Sequence, residues 1–198
     1  MAKKSVKKSK NPRWVAVSGG FDPLHIGHVR MFAEARKLGD KLVVILNNDT
    51  WLRDKKGFAF MSEKERGEII GAYPFVDKVV ISTHRKDDPE GSAYHRGVSR
   101  ELALVKPAIF ANGGDRDEKN AADPHSSLYW DIKTCSELGI KMVFNVGHGG
   151  KVQSSSWMIR DASRAFARSV RPWGEFYGWD KGEGWYLKTL YVAPKKRL

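Results

Sequence analysis

Five short apolar runs punctuate this chain, WVAV at 14–17, LVVIL at 42–46, KVVIS at 78–82, PAIFANGG at 107–114 and IKMVFNV at 140–146. Most are continuous rather than alternating in polarity, which is the pattern of strands buried on both faces. Between them lie segments with helical spacing. IGHVRMFAEARKL (26–38) places Val29, Phe32, Ala33 and Leu38 near one face, with Gly39 positioned to cap its end. Ser62 and Glu65 form a capping box for a second helix, SSLYWDIKTCSELG is a third, and SSSWMIRDASRAFARS (154–169) closes the pattern. Strand, turn and helix repeat in order. The charged segment 50–60 carries no assignment, and 84–97, broken by Pro89 and Gly91, reads as a loop or short helix–loop excursion. The alternation predicts an α/β fold, a Rossmann-like, doubly wound parallel sheet of five strands, with ligands at the carboxyl ends of the strands.

The 198 residues suffice for one domain of ordinary size. No window supplies the ~18 apolar residues of a membrane span, and no apolar signal-peptide core follows the basic start. Cys135 is the sole cysteine, so an intramolecular disulfide framework is excluded and a reducing, cytoplasmic setting is expected. The net charge of +12 suggests nucleic acid until it is located. Nine of those charges sit in the two ends, six within residues 1–13 and three at Lys195, Lys196 and Arg197, which leaves 14–194 at only +3. Nucleic acid is therefore disfavoured as a partner, and residues 1–13 are expected to be a disordered basic tail.

GGFDPLHIGH (19–28) is the chemically dense stretch. A helix beginning at Gly27-His28 aims unpaired backbone N–H groups and a positive dipole end at the loop, a ready anion site. Gly19, Gly20 and Gly27 let a phosphate approach the backbone, and two imidazoles can donate to phosphoryl oxygens in an in-line displacement. Zinc is the alternative for two histidines, but the loop adds only Asp22 to them, and His84, His95, His125 and His148 show no ligand spacing. No metal site is expected.

With these residues in view, GGFDPLHIGHVRMFAEARKLGDKLVVILNND resembles the first βαβ unit of the cytidylyltransferase-like nucleotidyltransferases. The likeness continues through KKG (55–57), SEKERGEII, ANGGD (111–115) and QSSSWMI (153–159), closest to heptose-phosphate adenylyltransferases and then glycerol-3-phosphate cytidylyltransferases. It implies a nucleotidyltransferase domain over 14–169 that moves an NMP from ATP or CTP onto a sugar- or polyol-phosphate and releases pyrophosphate. The roles it implies are these. His25 and His28 act on the transferring and leaving phosphates, Gly20, Phe21, Asp22 and Gly27 shape the turn and pocket, and Lys55 or Lys56 neutralises phosphate charge. Asn112, Gly113, Gly114 and Asp115 face base and ribose, and Ser154, Ser155 and Ser156 hold phosphate. Mg²⁺ is implied as a companion of the triphosphate, held by phosphate and water. A homodimer is also suggested by the resemblance.

One departure stands out: the cytidylyltransferases carry an Arg five residues before the serine run, where this chain has Gly149, with Lys151 nearby. A rival from the same superfamily, the class I aminoacyl-tRNA synthetases, shares the string HIGH, but FMSEK (60–64) comes too early for their second signature. A second class of function is a non-catalytic nucleotide-binding or scaffold protein of the same fold. Residues 170–198 break the pattern. WYLKTLYV alternates as a β-hairpin, and RPWG (171–174) is similar to the opening of the cupin domain of type II mannose-6-phosphate isomerases, so this stretch reads either as a hairpin appendage or as the start of a truncated cupin.

Overall fold

The computed structural model describes residues 11–113, 126–147 and 153–197. Two compact units divide the chain, Met1–Gln153 and Ser154–Leu198. In the first, strands β1 (Trp14–Gly19), β2 (Lys41–Leu46), β3 (Lys78–Ile81), β4 (Ile109–Gly113) and β5 (Lys141–Val146) form one sheet in the order β3-β2-β1-β4-β5. Every pairing is parallel. The expected five-stranded α/β sheet is present, and its strand order reverses direction between β1 and β4, where open sheets of this kind take ligands.

Strand periodicity explains why the apolar runs are continuous. Val15, Val17, Leu42, Val44 and Leu46 point to one face, where they pack with Phe32 and Ala35 of α1 (Ile26–Ala35) and Ile70 of α3 (Glu63–Gly71). Ala16, Val43 and Ile45 point to the other, against Leu102 of α4 (Ser99–Val105) and Cys135 of α5 (Ser127–Leu138). Alternate residues serve two separate cores, so neither face is left polar.

Helices α2 (Asp49–Lys56) and α4 fall where the sequence reading placed none. α2 is short and charged along most of its length; its order comes from its ends. Asn48 caps it by accepting the Trp51 N–H at 3.0 Å, and Gly57, at φ +82°, terminates it in the left-handed conformation. Gly39 follows the end of the 26–38 helical stretch as expected, but not by the usual glycine geometry. α1 passes into a 3-10 turn (Arg36–Leu38), and Gly39 is extended at φ −160°, so left-handed freedom is not its use. A Cβ there would lie 2.5 Å from the Arg13 carbonyl oxygen, and close approach of two backbones is what excludes a side chain.

In the second unit α6 (Ser155–Ala167) precedes an antiparallel sheet of β6 (Arg168–Arg171), β7 (Gly174–Gly182) and β8 (Trp185–Val192). The helix stops two residues short of the expected 169, because Arg168 and Ser169 turn extended and pair with Tyr177 and Phe176 of β7. Among the described residues no helix is long and apolar enough to cross a membrane.

Candidate functional site

The turn between β1 and α1 brings the two histidines together. His25 is the N-cap of α1, which starts at Ile26, one residue before the Gly27 start expected, and His28 is its third helical residue. Their rings stack with centroids 3.6 Å apart. The His25 backbone N–H donates to His28 Nδ1 at 3.3 Å, the place a glutamate usually takes in a capping box. That bond fixes the tautomer. Nδ1 accepts, so the proton of the neutral ring sits on Nε2, which is left as a donor. Burial, then the neighbouring His25, then Lys56, push the His28 imidazolium pKa down to about 3, so the ring is neutral at physiological pH.

Phe21 holds the other side of the ring, edge-on to His28 at 5.0 Å and to Phe32 at 5.0 Å. It does so at φ +49°, a left-handed conformation uncommon for a bulky residue. Such conformations persist where packing over-determines them, and Phe21 is buried. A Cβ on Gly20 would come within 2.8 Å of a methyl of buried Leu52, so a side chain there would have to displace that methyl.

Asp22 is buried, and both of its carboxylate oxygens are engaged. Oδ2 accepts the Phe60 N–H at 2.7 Å and Oδ1 the Met61 N–H at 2.8 Å, so this side chain pins the 57–61 loop to the turn. The Asp22 carbonyl in turn accepts a hydrogen bond from Lys56 Nζ at 3.2 Å. Lys56 therefore lies beside the turn, its pKa lowered by partial burial and, more weakly, by Arg66, against the raising influence of Asp22. Lys55 takes another direction. Its ammonium sits over the Trp51 ring at 4.5 Å.

Arg66 organises the neighbourhood from within, and the sequence reading assigned it no role. It is fully buried. Its Nη1 donates to the carbonyls of Gly20 (2.5 Å) and Asn47 (2.8 Å), Nε to that of Met61 (3.1 Å), and Nη2 to Asp49 Oδ1 (2.6 Å). One guanidinium ties the end of β1, the end of β2, the start of α2 and the 57–61 loop into a single cluster. The available signal was spacing. Arg66 stands four residues before Ile70, the other buried position of α3, so it occupies a core-facing slot of that helix.

Asn112, expected at the nucleotide, is buried in the last turn of strand β4, one residue before Gly113. Gly114, Asp115, Gly149 and Lys151 lie outside the described residues. Ser154 is the N-cap of α6, Ser155 is buried and Ser156 exposed; these three belong to the second unit. Across β2 from the turn, the 84–97 excursion is a structured loop. His84 Nε2 donates to the Gly97 carbonyl at 2.8 Å, which makes its Nδ1 the acceptor for the Ser82 hydroxyl at 2.7 Å. Burial lowers the pKa of His84, while Glu101 and Asp88 oppose that and Arg100 adds to it. Burial likewise pushes the Cys135 thiol up to about 12, so this cysteine is a packing residue.

The arrangement can therefore accept an anion at a helix N-terminus flanked by a neutral imidazole donor and a lysine. Over 111 residues the chain is 39% identical to the bifunctional protein HldE of Pelobacter propionicus, covering 55% of this chain and 20% of that protein. It is 35% identical over 105 residues to the FAD synthase of Pyrococcus abyssi, covering 52% of this chain and 64% of that one. The chain thus matches about a fifth of the length of its HldE relatives. Among solved structures, the lipopolysaccharide core biosynthesis protein of Thermoplasma volcanium superposes with a TM-score of 0.53 at 26% identity, over 70% of this chain and all of that one. The sequence model of the cytidylyltransferase-like family matches residues 16–116, from within β1 to just past the end of β4, and the chain belongs to that family.

Proposed function

We propose that the chain moves a nucleotidyl group from a nucleoside triphosphate to the phosphate of a small phosphate monoester. An acceptor phosphate oxygen attacks the α-phosphorus, the bond from that phosphorus to the bridging oxygen breaks, and pyrophosphate departs with the electron pair. No covalent enzyme intermediate is involved. The observation that carries this reading is the fixed His28 tautomer, which leaves Nε2–H as the donor of a ring in the first turn of α1, with Lys56 hydrogen-bonded to the same β1–α1 turn. A neutral donor suits this task. It binds phosphoryl oxygens without a prior proton uptake, and charge growing on those oxygens then strengthens the bond.

Of the two lysines, we assign Lys56 to the phosphates, since Lys55 is engaged with Trp51. Phe21 and Asp22 shape the turn, with Asn112 on the nucleotide side; Ser154, Ser155 and Ser156 are assigned to phosphate on the family resemblance. Mg²⁺ belongs to the substrate in this scheme. Both Asp22 oxygens are taken by backbone N–H groups, and the turn otherwise offers imidazole, ammonium and amide, so a hard cation would draw its oxygens from triphosphate and water. ATP is the proposed nucleotide, because an FAD synthase stands among the relatives and FAD carries an adenylyl group. The acceptor class is a sugar, polyol or similar phosphate.

The test is pyrophosphate release from ATP or CTP with Mg²⁺ and a panel of sugar, glycerol and heptose phosphates. ATP is expected to serve, and His28→Ala to lower kcat by about a hundredfold or more with a smaller change in KM. A wild-type chain that releases no pyrophosphate with any pair, or a His28→Ala variant with unchanged turnover, would overturn the reading.

A further inference from the structure

We infer that Phe58 and Phe60 form the face on which the body of the acceptor lies, and that the acceptor is a phosphate monoester built on a ring with an apolar face. The inference rests on the transfer reading above. Phe58 and Phe60 are 44% and 61% exposed, so core packing does not account for two phenylalanines in one five-residue loop. Their backbone is nevertheless held firmly. The Phe60 and Met61 amides end on Asp22, three residues before His25, and the Met61 carbonyl on buried Arg66. Two exposed aromatic rings are thus carried on a loop anchored to the histidine turn itself.

Topology assigns the face to one substrate. The loop lies in the connection from β2 to β3, on the side of β1 away from β4, whereas Asn112 lies near the end of β4, on the opposite side. A transfer between two substrates needs a pocket on each side of the phosphate-holding turn. With the β4 side given to the nucleotide, as proposed above for Asn112, the phenylalanine side is left to the acceptor. Phenylalanine has no hydrogen-bonding group, so these residues read only the face of a ring. The C–H face of a pyranose and the flat face of a heteroaromatic such as a flavin share that chemistry; an open polyol lacks it.

Isothermal titration of the full chain with glucose 1-phosphate, FMN and glycerol 3-phosphate separates these cases without requiring turnover. At least one ring phosphate is expected to bind about tenfold more tightly than glycerol 3-phosphate. The F58A/F60A double variant brings that ligand down to the glycerol level, F60Y retains the difference, and binding of ATP with Mg²⁺ changes less than about twofold in every variant. Whichever ring phosphate responds identifies the ring as a sugar or a flat heteroaromatic. Equal binding of all three phosphates, or a double variant that weakens ATP in place of the ring phosphate, overturns the inference. Ring-dependent binding in a chain that never releases pyrophosphate would leave this face standing and sink the transfer reading. Pyrophosphate release at equal KM from wild type and double variant would do the reverse.

Discussion

Arg66 and Arg168 each hold a carboxylate oxygen at 2.6 Å, Asp49 in one case and Glu175 in the other. Distance makes the two pairs look alike, and burial separates them. The Arg66 side chain is 0% exposed beside an Asp49 at 16%, whereas Arg168 and Glu175 are 53% and 28% exposed. The first guanidinium also satisfies three carbonyls, each belonging to a different segment around the histidine turn. The second spans neighbouring strands of an exposed hairpin-like sheet that is already paired through its backbone. A charge removed from water holds structure only when every partner is in place, so the cluster around Arg66 admits one arrangement of the turn, while the Arg168 pair tolerates many.

The contrast is broken most severely by Arg66→Met, which strands Asp49 and three backbone carbonyls without their donor. A loss of about 3–5 kcal/mol in urea unfolding is expected for the first unit. Next comes Asp22→Asn, which keeps the size but offers one acceptor where two amides need one each. It is expected to cost about 1–3 kcal/mol and to accelerate hydrogen exchange at Phe60 and Met61, and unchanged exchange there would refute the pinning role.

The third effect is pH dependent. His28 has a folded pKa of about 3 against an ordinary value of 6.5, so between those values the unfolded chain binds the proton more readily. The stability of the neutral ring is fully present above pH 6.5 and is lost as pH falls through that window. Relative to His28→Gln, the wild type should lose about 1 kcal/mol per pH unit from 6.5 downward, seen as a shrinking difference in Tm. Smallest is Arg168→Ala, for which unfolding curves and Tm are expected to coincide with wild type. A shift comparable to that of Asp22→Asn would show that exposure is the wrong criterion.

Much of the sheet was legible because buried parallel strands write themselves as apolar runs. WVAV, LVVIL and IKMVFNV each coincide with a strand within a few residues. Helix α2 was not legible. TWLRDKKGFAF has no apolar face of its own, and its order derives from the Asn48 cap, the Gly57 terminus and the packing of Trp51 and Leu52. The same holds within the site. His25, His28 and Asp22 announce themselves by type and spacing, whereas Arg66 looks like one charged residue among several in SEKERGEII. Its role exists only once the ends of β1 and β2 lie beside α3.

Sequence alone determined the α/β alternation, the glycine-rich, two-histidine character of the GGFDPLHIGH turn and the separation of charge into the chain's ends. These are local properties, set by side-chain periodicity, by the absence of Cβ atoms and by residue type. Tertiary structure decided that Asp22 clamps a loop, that two phenylalanines stand exposed on that loop, that Lys56 faces the turn while Lys55 lies on Trp51, and that the His28 proton sits on Nε2. Each of these depends on which groups share a buried space with one another, and burial is a property of contacts between segments distant in sequence.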